Sequence, residues 1–484
     1  MSKTKDNIRI PNPTEGVIRT AQLDDSVSPE TSVELAVNMN FDRVGTAQTR
    51  PGISTYATTL GGEVKSLGKL SIQGSTPQHK LFAQVGKNIY VYNGSSWVNV
   101  RTTTSDNKAR FSQWLNYLFM VNGVDPLQAS NGGNFSAVAG IVPSPAIPVG
   151  DFIQAGFDGR IWVANAANDA LYFSDIVQFT PPSTFVITYD ENNFIEKFSP
   201  QDGESITGLI RVPRALLLFK QNHIYRIYSA TNIDPYPAYN VGTYSQESIV
   251  QTKDGVYFHH PSGFYHFSYD SQPVEISKRI SDFIKAIPRD NYEKIVGIYD
   301  NFDSIKWYVG SVKVGGTTYS NCALRYTIST QVWTVYDYSG FDITALIEYD
   351  DGSSINQIAG SKTGVIASLD SGETDLGNEI YYELIDRYRS WSDIPAYVQS
   401  ITGMYVVSEN GAGGQVQYQK QKSCPNEWKN IGKISENEVT VFPNIETDDF
   451  NHIRFRIRGY TKGEPVVFES MGILLLQEKG LDQN

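Results

Sequence analysis

The sequence predicts an all-β protein in which a multi-bladed β-propeller of about seven blades is followed by a C-terminal β-sandwich. Short runs of alternating aliphatic and aromatic residues recur from about residue 80 to residue 369, and Gly turns separate them. The runs are spaced by about 40 residues, which is typical of four-stranded propeller blades. Aromatic residues make up 12% of the chain. They favour β structure because flat rings pack well on a pleated surface.

The stretch 81–100 shows the blade pattern most clearly. Ile89 and Val91 face one side of a strand while Tyr90 and Tyr92 face the other, because successive strand side chains point in opposite directions. The Asn-Gly pair that follows at 93–94 is the strongest short-range signal for a hairpin. The same pair, or Asp-Gly, recurs at 122–123, 158–159, 254–255 and 351–352. These repeats indicate a propeller over residues 61–378.

The flanking segments have different patterns. Residues 1–60 are predicted to form an N-terminal arm or first strand that docks on the propeller, with a turn at Pro51 in which Gly52 takes a positive φ. Residues 379–484 are predicted to form the β-sandwich, with strands at 402–407, 415–418, 439–442, 453–457 and 466–476.

Two stretches inside the propeller interrupt the repeat. The apolar spacing over residues 280–287, with a Pro directly after them, predicts a short helix. Residues 188–203 carry no repeat signal and are predicted to form a long exposed loop, the kind of segment in which binding usually lies.

Composition restricts the function classes. The net charge of −12 argues against a protein that grips nucleic acid, because that requires clustered Lys and Arg. The charge is compatible with a wall past which DNA slides. Cys322 and Cys424 are too few for a disulfide framework and suit a reducing cytoplasm. With no signal peptide and no apolar run long enough to span a membrane, we expect a soluble chain that folds inside the cell.

Candidate catalytic groups are weakly specified. Residues 368–374 resemble an Asp-box hairpin, but Asp375 stands where the final Trp is expected, and such a box stabilises a turn rather than carrying catalysis. Asp300, Asp303 and Glu348 are carboxylates that a glycosidase could use, but the spacing selects no pair. We therefore interpret them as solvated loop carboxylates.

The neighbouring histidines in the sequence do not have the arrangement of a metal site. Adjacent strand residues such as His259 and His260 point to opposite faces, and His266 adds no third ligand with metal spacing. We therefore predict no catalytic residue, no metal site and no cofactor. The chain is predicted not to be an enzyme.

A basic stripe lies in the C-terminal region. Ile453, Phe455 and Ile457 share one face of a predicted strand, and three arginines share the other face: Arg454, Arg456 and Arg458. This stripe could bind nucleic acid or an acidic protein partner, or it could be an ordinary solvated strand face. Because the whole chain is acidic, we predict that it docks to an acidic face of a neighbouring subunit.

An ordered set of segments resembles the β-propeller tail hub or nozzle proteins of short-tailed bacteriophages. The segments are 37–40, 50–53, 158–162, 171–175, 216–220, 223–227, 248–250, 254–258, 263–265 and 276–280. Their order and spacing resemble that family over most of the chain, including a terminal β-sandwich.

This resemblance implies a structural virion protein. The expected assembly is a homo-hexameric ring below the portal–adaptor rings that continues the DNA channel and helps retain and deliver the genome. Its expected partners are adaptor or portal-side ring proteins, distal tail or fibre proteins, and genomic DNA that passes without specific binding. The expected location is the virion tail, assembled in the host bacterial cytoplasm.

The alternative is a carbohydrate-active propeller, either a glycosidase or a receptor-binding lectin. It predicts that aromatic side chains and carboxylates converge on one pocket at the rim of the propeller. A cytosolic scaffold propeller is a third class, but the Gly-His and Trp-Asp blade signatures typical of it are missing.

Overall fold

β-strands dominate the computed structural model, as the alternating sequence pattern predicts. The structure describes residues 3–19, 30–42, 46–138, 148–180, 184–189, 193–195, 198, 202–234, 236–269, 271–300, 302–392, 397–421, 427–445, 447 and 449–480. Its α-helix, α1 (Ser281–Ala286), confirms the short helix predicted for 280–287. Short 3₁₀ turns lie at Gln246–Ser248, Lys278–Ile280 and Arg289–Lys294.

The strands fall into three groups along the chain. The N-terminal group is β1 (Lys3–Ile10), β2 (Val33–Val37), β3 (Met39–Asn40), β4 (Ala47–Thr49) and β5 (Ile53–Ala57). The propeller group is β6 (Val64–Ile72), β7 (Gln78–Val85), β8 (Asn88–Tyr92), β9 (Trp97–Thr102), β10 (Arg110–Trp114), β11 (Tyr117–Val121), β12 (Gln128–Ser130), β13 (Ser136–Ala137), β14 (Phe152–Phe157), β15 (Arg160–Asn165), β16 (Ala170–Phe173), β17 (Gln178–Thr180), β18 (Thr184–Val186), β19 (Phe194–Ile195), β20 (Ile206–Val212), β21 (Ala215–Lys220), β22 (Ile224–Ser229), β23 (Asn232–Ile233), β24 (Val250–Thr252), β25 (Gly255–His260), β26 (Gly263–Phe267), β27 (Val274–Glu275), β28 (Val296–Tyr299), β29 (Ser304–Val314), β30 (Thr317–Thr327), β31 (Val332–Asp337), β32 (Ile343–Asp350), β33 (Ile355–Ser361) and β34 (Ile366–Leu369). The C-terminal group is β35 (Tyr381–Asp386), β36 (Tyr397–Glu409), β37 (Gln415–Lys420), β38 (Lys429–Lys433), β39 (Val439–Phe442), β40 (Ile453–Tyr460) and β41 (Val467–Gly480).

The propeller contains six separate four-stranded sheets among the described residues. They are β6–β9, β10–β13, β14–β15–β16–β19, β20–β23, β24–β27 and β32–β34 with β5, while β17 and β18 form a small hairpin of their own. The prediction of about seven blades is therefore corrected to six separate sheets. The difference arises because the meander β28–β31 lies between the fifth and last of them but continues into a larger sheet of nine strands.

The first strands of the sheets lie side by side around a closed ring. β6, β10, β14 and β20 contact one another in that order, β24 contacts β28, β28 contacts β32, and β32 returns to β6. The 3₁₀ turn Gln246–Ser248 contacts both β20 and β28 and so continues the ring between them. These contacts close a circle, which is the defining feature of a propeller.

Side-chain hydrogen bonds fasten neighbouring inner strands. The Gln113 amide pairs with both backbone groups of Ser71, at 2.9 and 2.8 Å. Gln246 does the same with the backbone of Leu209, at 2.6 and 3.0 Å. Each amide satisfies one part-buried backbone N–H and one C=O group at a blade boundary.

The N-terminal segment closes the ring. β5 pairs with β34, so the last blade takes one strand from the chain that precedes the first blade. Beside this junction the Arg50 guanidinium is fully buried and binds the Asp375 carboxylate through two hydrogen bonds of 2.8 and 2.6 Å. Arg50 also lies 4.5 Å from the centre of the Tyr338 ring. Asp375, which breaks the Asp-box pattern, is thus the counter-ion of Arg50.

Gly52 corrects one sequence prediction. Its φ does not lie in the left-handed region, so the turn predicted at Pro51 does not require glycine for that reason. A Cβ atom at this position would instead lie 2.1 Å from the carbonyl oxygen of Thr374. Glycine is required because two backbone segments approach each other closely where β5 joins the last blade.

The C-terminal strands build two sheets together with the N-terminal strands. One has the order β28-β29-β30-β31-β2-β35-β40-β37-β38, and the other has the order β3-β4-β41-β36-β39, with β1 also paired to β41. The strands predicted in 402–476 are confirmed, and both sheets contribute to a single hydrophobic core. A self-contained C-terminal β-sandwich is not confirmed, because one sheet continues into the propeller. The domain divisions at 60 and 378 stay predictions.

Candidate functional site

A cavity of about 630 Å³ opens between β28–β31 and the last blade, and we call it the inter-blade cavity. Its wall includes Asp42, Asp300, Arg325, Glu348, Gln357 and Asp370. Two of the carboxylates that the sequence offered as glycosidase candidates, Asp300 and Glu348, therefore line the same cavity. The third, Asp303, lies outside the lining and accepts a 2.9 Å hydrogen bond from the backbone N–H of Ser329.

Two buried cations organise the wall of the inter-blade cavity. Arg325 donates to both oxygens of Asp42, at 3.0 and 2.9 Å. Lys306 is almost fully buried, pairs with Asp370 and donates to the Gln357 amide oxygen at 3.0 Å. Such pairing holds both carboxylates in fixed positions.

Asp300 stabilises a turn. One of its carboxylate oxygens accepts hydrogen bonds from the backbone N–H groups of Phe302, Asp303 and Ser304, each at 2.9 Å. Burial alone would raise the pKa of Asp300, but hydrogen bonds from the Ser304 hydroxyl and from these N–H groups outweigh burial and lower it. A carboxyl group with a lowered pKa is a poor general acid at neutral pH.

Large apolar side chains stand at the mouth of the inter-blade cavity. Phe302, in the turn between β28 and β29, is 85% exposed, and Ile355, at the start of β33, is 63% exposed. The cavity thus combines a polar wall with an apolar rim, which is the general composition of a ligand site.

A second cavity of about 800 Å³ lies at one end of the propeller ring. Its lining includes Lys65, Asp106, Lys108, Glu293 and Lys362, so charges of both signs are mixed.

An ion-pair cluster adjoins this cavity through Lys108, which lines it. Glu247 accepts from Arg110 at 2.9 Å and lies 3.4 Å from the ammonium group of Lys108. Burial would raise the pKa of Glu247, but Arg110 and Lys108 lower it to about 2. The cluster links the second blade to the turn before β24 and so ties together distant parts of the ring.

The arginine stripe lies on β40, with the alternation that the sequence predicts: Ile453, Phe455 and Ile457 are buried, whereas Arg454, Arg456 and Arg458 are half-buried.

Two of these arginines, Arg454 and Arg456, form ion pairs within the chain. Arg454 pairs with Glu34 and donates to Gln419 at 2.8 Å. Arg456 lies 3.4 Å from Glu383 and 4.2 Å from the centre of the Trp428 ring.

The third arginine of the stripe, Arg458, forms fewer contacts within the described part of the chain. Arg458 contacts Gln415 at 3.2 Å and forms no ion pair with a described residue. Burial and the neighbouring Arg458 lower the pKa of Arg456, although Glu383 opposes them. The role of this stripe as a subunit interface stays a prediction.

The predicted exposed loop is largely anchored where the structure describes it. Tyr189 and Phe198 are buried rather than exposed, which corrects the sequence prediction for these residues. The fully buried ammonium group of Lys220 lies 2.8 Å from Asp169 and 3.0 Å from Asp202, and it also donates to the Phe198 carbonyl at 2.7 Å. Aromatic anchors and a buried charge thus hold the segment against the fourth blade. Other parts of 188–203 lie outside the described residues.

The three histidine side chains do not point towards a common site. His259 is buried, and burial lowers its pKa to about 3. His260 points elsewhere and contacts Ser262 at 2.7 Å, while His266 stacks on Tyr257 at 4.2 Å. Within the described ranges, no group of three or more His, Cys, Asp or Glu side chains is placed to hold a metal ion. Cys322 is buried, and Cys424 lies outside the described residues.

The chain is an all-β protein with a β-propeller arrangement. No protein-family profile matches its sequence, and no curated protein matches it either. No helix among the described residues is long and apolar enough to cross a membrane.

Several solved propeller structures resemble it. YCF48 from Cyanidioschyzon merolae is 12% identical with a TM-score of 0.42, and the match covers 67% of this chain and 98% of that one. The β-propeller domain of Cps50 (Swd1) from Myceliophteria thermophila is 9% identical with a TM-score of 0.41, covering 65% and 98%. BamB from Moraxella catarrhalis is 10% identical with a TM-score of 0.37, covering 76% and 97%. At these identities the similarity concerns the fold and not the function.

Proposed function

We propose that this chain is a structural subunit of a short-tailed bacteriophage tail, assembled as a homo-hexameric ring below the portal–adaptor rings. The ring continues the DNA channel. The ordered sequence segments that resemble tail hub or nozzle proteins support this proposal, and so does the net charge of −12, which disfavours DNA adhering to the wall.

The observation that carries the proposal is a pair of open edges on one sheet. Among the described residues, β1 pairs with β41 on one side only, and β39 pairs with β36 on one side only. A strand of this kind presents unpaired backbone groups to a neighbour. Because the two edges differ, β39 of one copy meeting β1 of the next is a heterologous contact, which closes into a ring when the rotation allows it.

The side chains at the two edges are complementary. Val439 and Val441 point outward from β39 and are 48% and 51% exposed, and Glu436 and Glu438 directly precede that strand. β1 contains Lys5 and the exposed Arg9. An apolar, acidic edge facing a basic edge favours a defined partner over random aggregation.

Electron microscopy of the purified chain and of its particle tests the proposal. We expect rings for the wild type and loss of rings for the double variant Val439→Lys, Val441→Lys, whose added charges block strand pairing and repel the basic edge. Val98→Lys is the matched control, because Val98 is 45% exposed on a propeller strand. Rings that survive the double variant would refute the edge contact. A particle without this chain on its tail axis would refute the tail function.

The predicted arginine interface requires a separate variant. Reversing Arg454 or Arg456 also breaks their pairs with Glu34 and Glu383, so a lost assembly would be ambiguous. Arg458→Glu removes no ion pair among the described residues and tests the interface more cleanly. We expect weaker assembly with unchanged thermal unfolding, and unchanged assembly would count against this face.

A further inference from the structure

We propose that the inter-blade cavity binds a neutral saccharide. This proposal does not depend on the ring, because the cavity lies within one chain. Its volume of about 630 Å³ falls in the range of small-molecule sites, roughly 300–1,000 Å³. The ligand class follows from three properties of the cavity: the balance of its charges, its fixed polar groups and its apolar rim.

The charges of the wall are largely neutralised inside the protein. Asp42 is paired with Arg325, and Asp370 is paired with Lys306. Glu348 lies 3.5 Å from the ammonium group of Lys69. No unpaired cation therefore remains on these pairs for a phosphate or sulfate, and the surplus charge of Asp300 repels such groups. A neutral ligand suits this wall better than nucleic acid or a phospholipid headgroup.

The polar groups of the wall are held in place before any ligand arrives. Gln357 is oriented by its hydrogen bond from Lys306, and the Ser371 hydroxyl lies 2.8 Å from that of Ser54. Asn356 donates to the Asp351 carboxylate at 3.0 Å. Amides, hydroxyls and carboxylates together offer donors and acceptors, which is what a ligand with many hydroxyl groups requires. Fixed partners lower the ordering cost of binding.

The apolar rim supplies the face that a sugar ring needs. Phe302 is 85% exposed, yet its backbone N–H is bound by Asp300 and its carbonyl accepts from the Tyr299 hydroxyl at 3.1 Å. The turn therefore presents the ring from a restrained backbone. Ile355 extends the apolar surface beside the same cavity. An exposed aromatic side chain next to polar groups marks a binding site for an amphipathic ligand, and the C–H face of a pyranose is such a surface.

The purified chain on an array of neutral, sulfated and sialylated glycans tests the proposal, followed by ligand-observed NMR and titration calorimetry with the neutral hits. We expect neutral glycans to bind in preference to anionic ones. Phe302→Ser should weaken binding about tenfold, because it removes the stacking face. Glu348→Gln should weaken it about threefold, because a charged acceptor becomes a neutral one.

Tyr236→Ser is the matched control, since Tyr236 is 74% exposed and does not line the cavity. It should leave the affinity unchanged. The proposal is overturned if no neutral glycan binds, if anionic glycans bind more tightly, or if neither cavity variant weakens the binding. It is also overturned if Phe302→Ser disperses an assembly without changing glycan binding, because Phe302 would then be a protein contact.

Discussion

Removing the charge of Asp375 should destabilise the closed ring strongly. Arg50 is fully buried, and Asp375 supplies its only carboxylate among the described residues. In Asp375→Asn the guanidinium would remain buried without a counter-ion, which costs about 3–5 kcal/mol in comparable buried pairs. Arg50 keeps a 2.8 Å hydrogen bond to the Asn38 side chain and its contact with Tyr338. We therefore expect Asp375→Asn to lower the free energy of unfolding by about 3 kcal/mol, the lower end of this range.

Urea unfolding followed by tryptophan fluorescence measures this loss. Glu15→Gln is the control, because Glu15 and Arg279 form an ion pair of 3.2 Å whose side chains are 38% and 41% exposed. Such exposed pairs contribute about 0–1 kcal/mol. If Asp375→Asn costs no more than Glu15→Gln, the buried pair does not stabilise the ring closure.

Three further predictions follow from single residues. Glu247→Gln should lower the free energy of unfolding by up to about 3 kcal/mol at pH 7. The pKa of Glu247 is lowered from 4.5 to about 2, so this contribution is present above pH 4.5 and is lost as the pH falls towards 2. Equal losses at pH 7 and pH 2.5 in urea titrations would contradict it. His259 has two buried ring nitrogens without a hydrogen-bond partner and a pKa lowered to about 3. Below pH 6.5 the unfolded chain therefore binds a proton at His259 that the folded chain does not bind. The wild type should lose about 2 kcal/mol of its free energy of unfolding between pH 7 and pH 5, and His259→Phe should abolish this loss. An unchanged pH profile of thermal unfolding would refute this. Gly52→Ala should destabilise the junction by at least about 2 kcal/mol, because its Cβ would meet the Thr374 carbonyl oxygen at 2.1 Å. Gly74→Ala, where a Cβ meets nothing within 4 Å, is the control in the same thermal scan, and equal melting temperatures would refute the clash.

The local alternation of apolar and polar residues predicted the strands correctly. The predicted strand 439–442 coincides with β39, and the alternation over 453–458 matches the buried and half-buried faces of β40. These patterns arise because each side chain responds to the face of its own strand. The blade count and the positive φ predicted for Gly52 were wrong, because both depend on which distant strand lies alongside.

The candidate sites were predictable only in part. The sequence offered Asp300 and Glu348 as loop carboxylates, but Glu348 lies within β32. Both line one cavity only because β28–β31 packs against the last blade. The pairing of Arg50 with Asp375 joins residues 325 positions apart, and no local pattern encodes such a partner. A useful signal was nevertheless present, since Asp375 stood in an unusual place in the Asp-box-like segment.

The sequence by itself determined that the chain is all-β, that its central part repeats as a propeller and that its surface is acidic. Tertiary structure alone decided that β5 closes the ring, that one sheet runs from the propeller into the C-terminal strands, and which edges and cavities remain open. The physical reason is that strand propensity and side-chain alternation act over a few residues. Pairing joins Val37 of β2 to Val335 of β31 and Val33 of β2 to Asp386 of β35, and such distant pairing depends on the shape of the whole molecule.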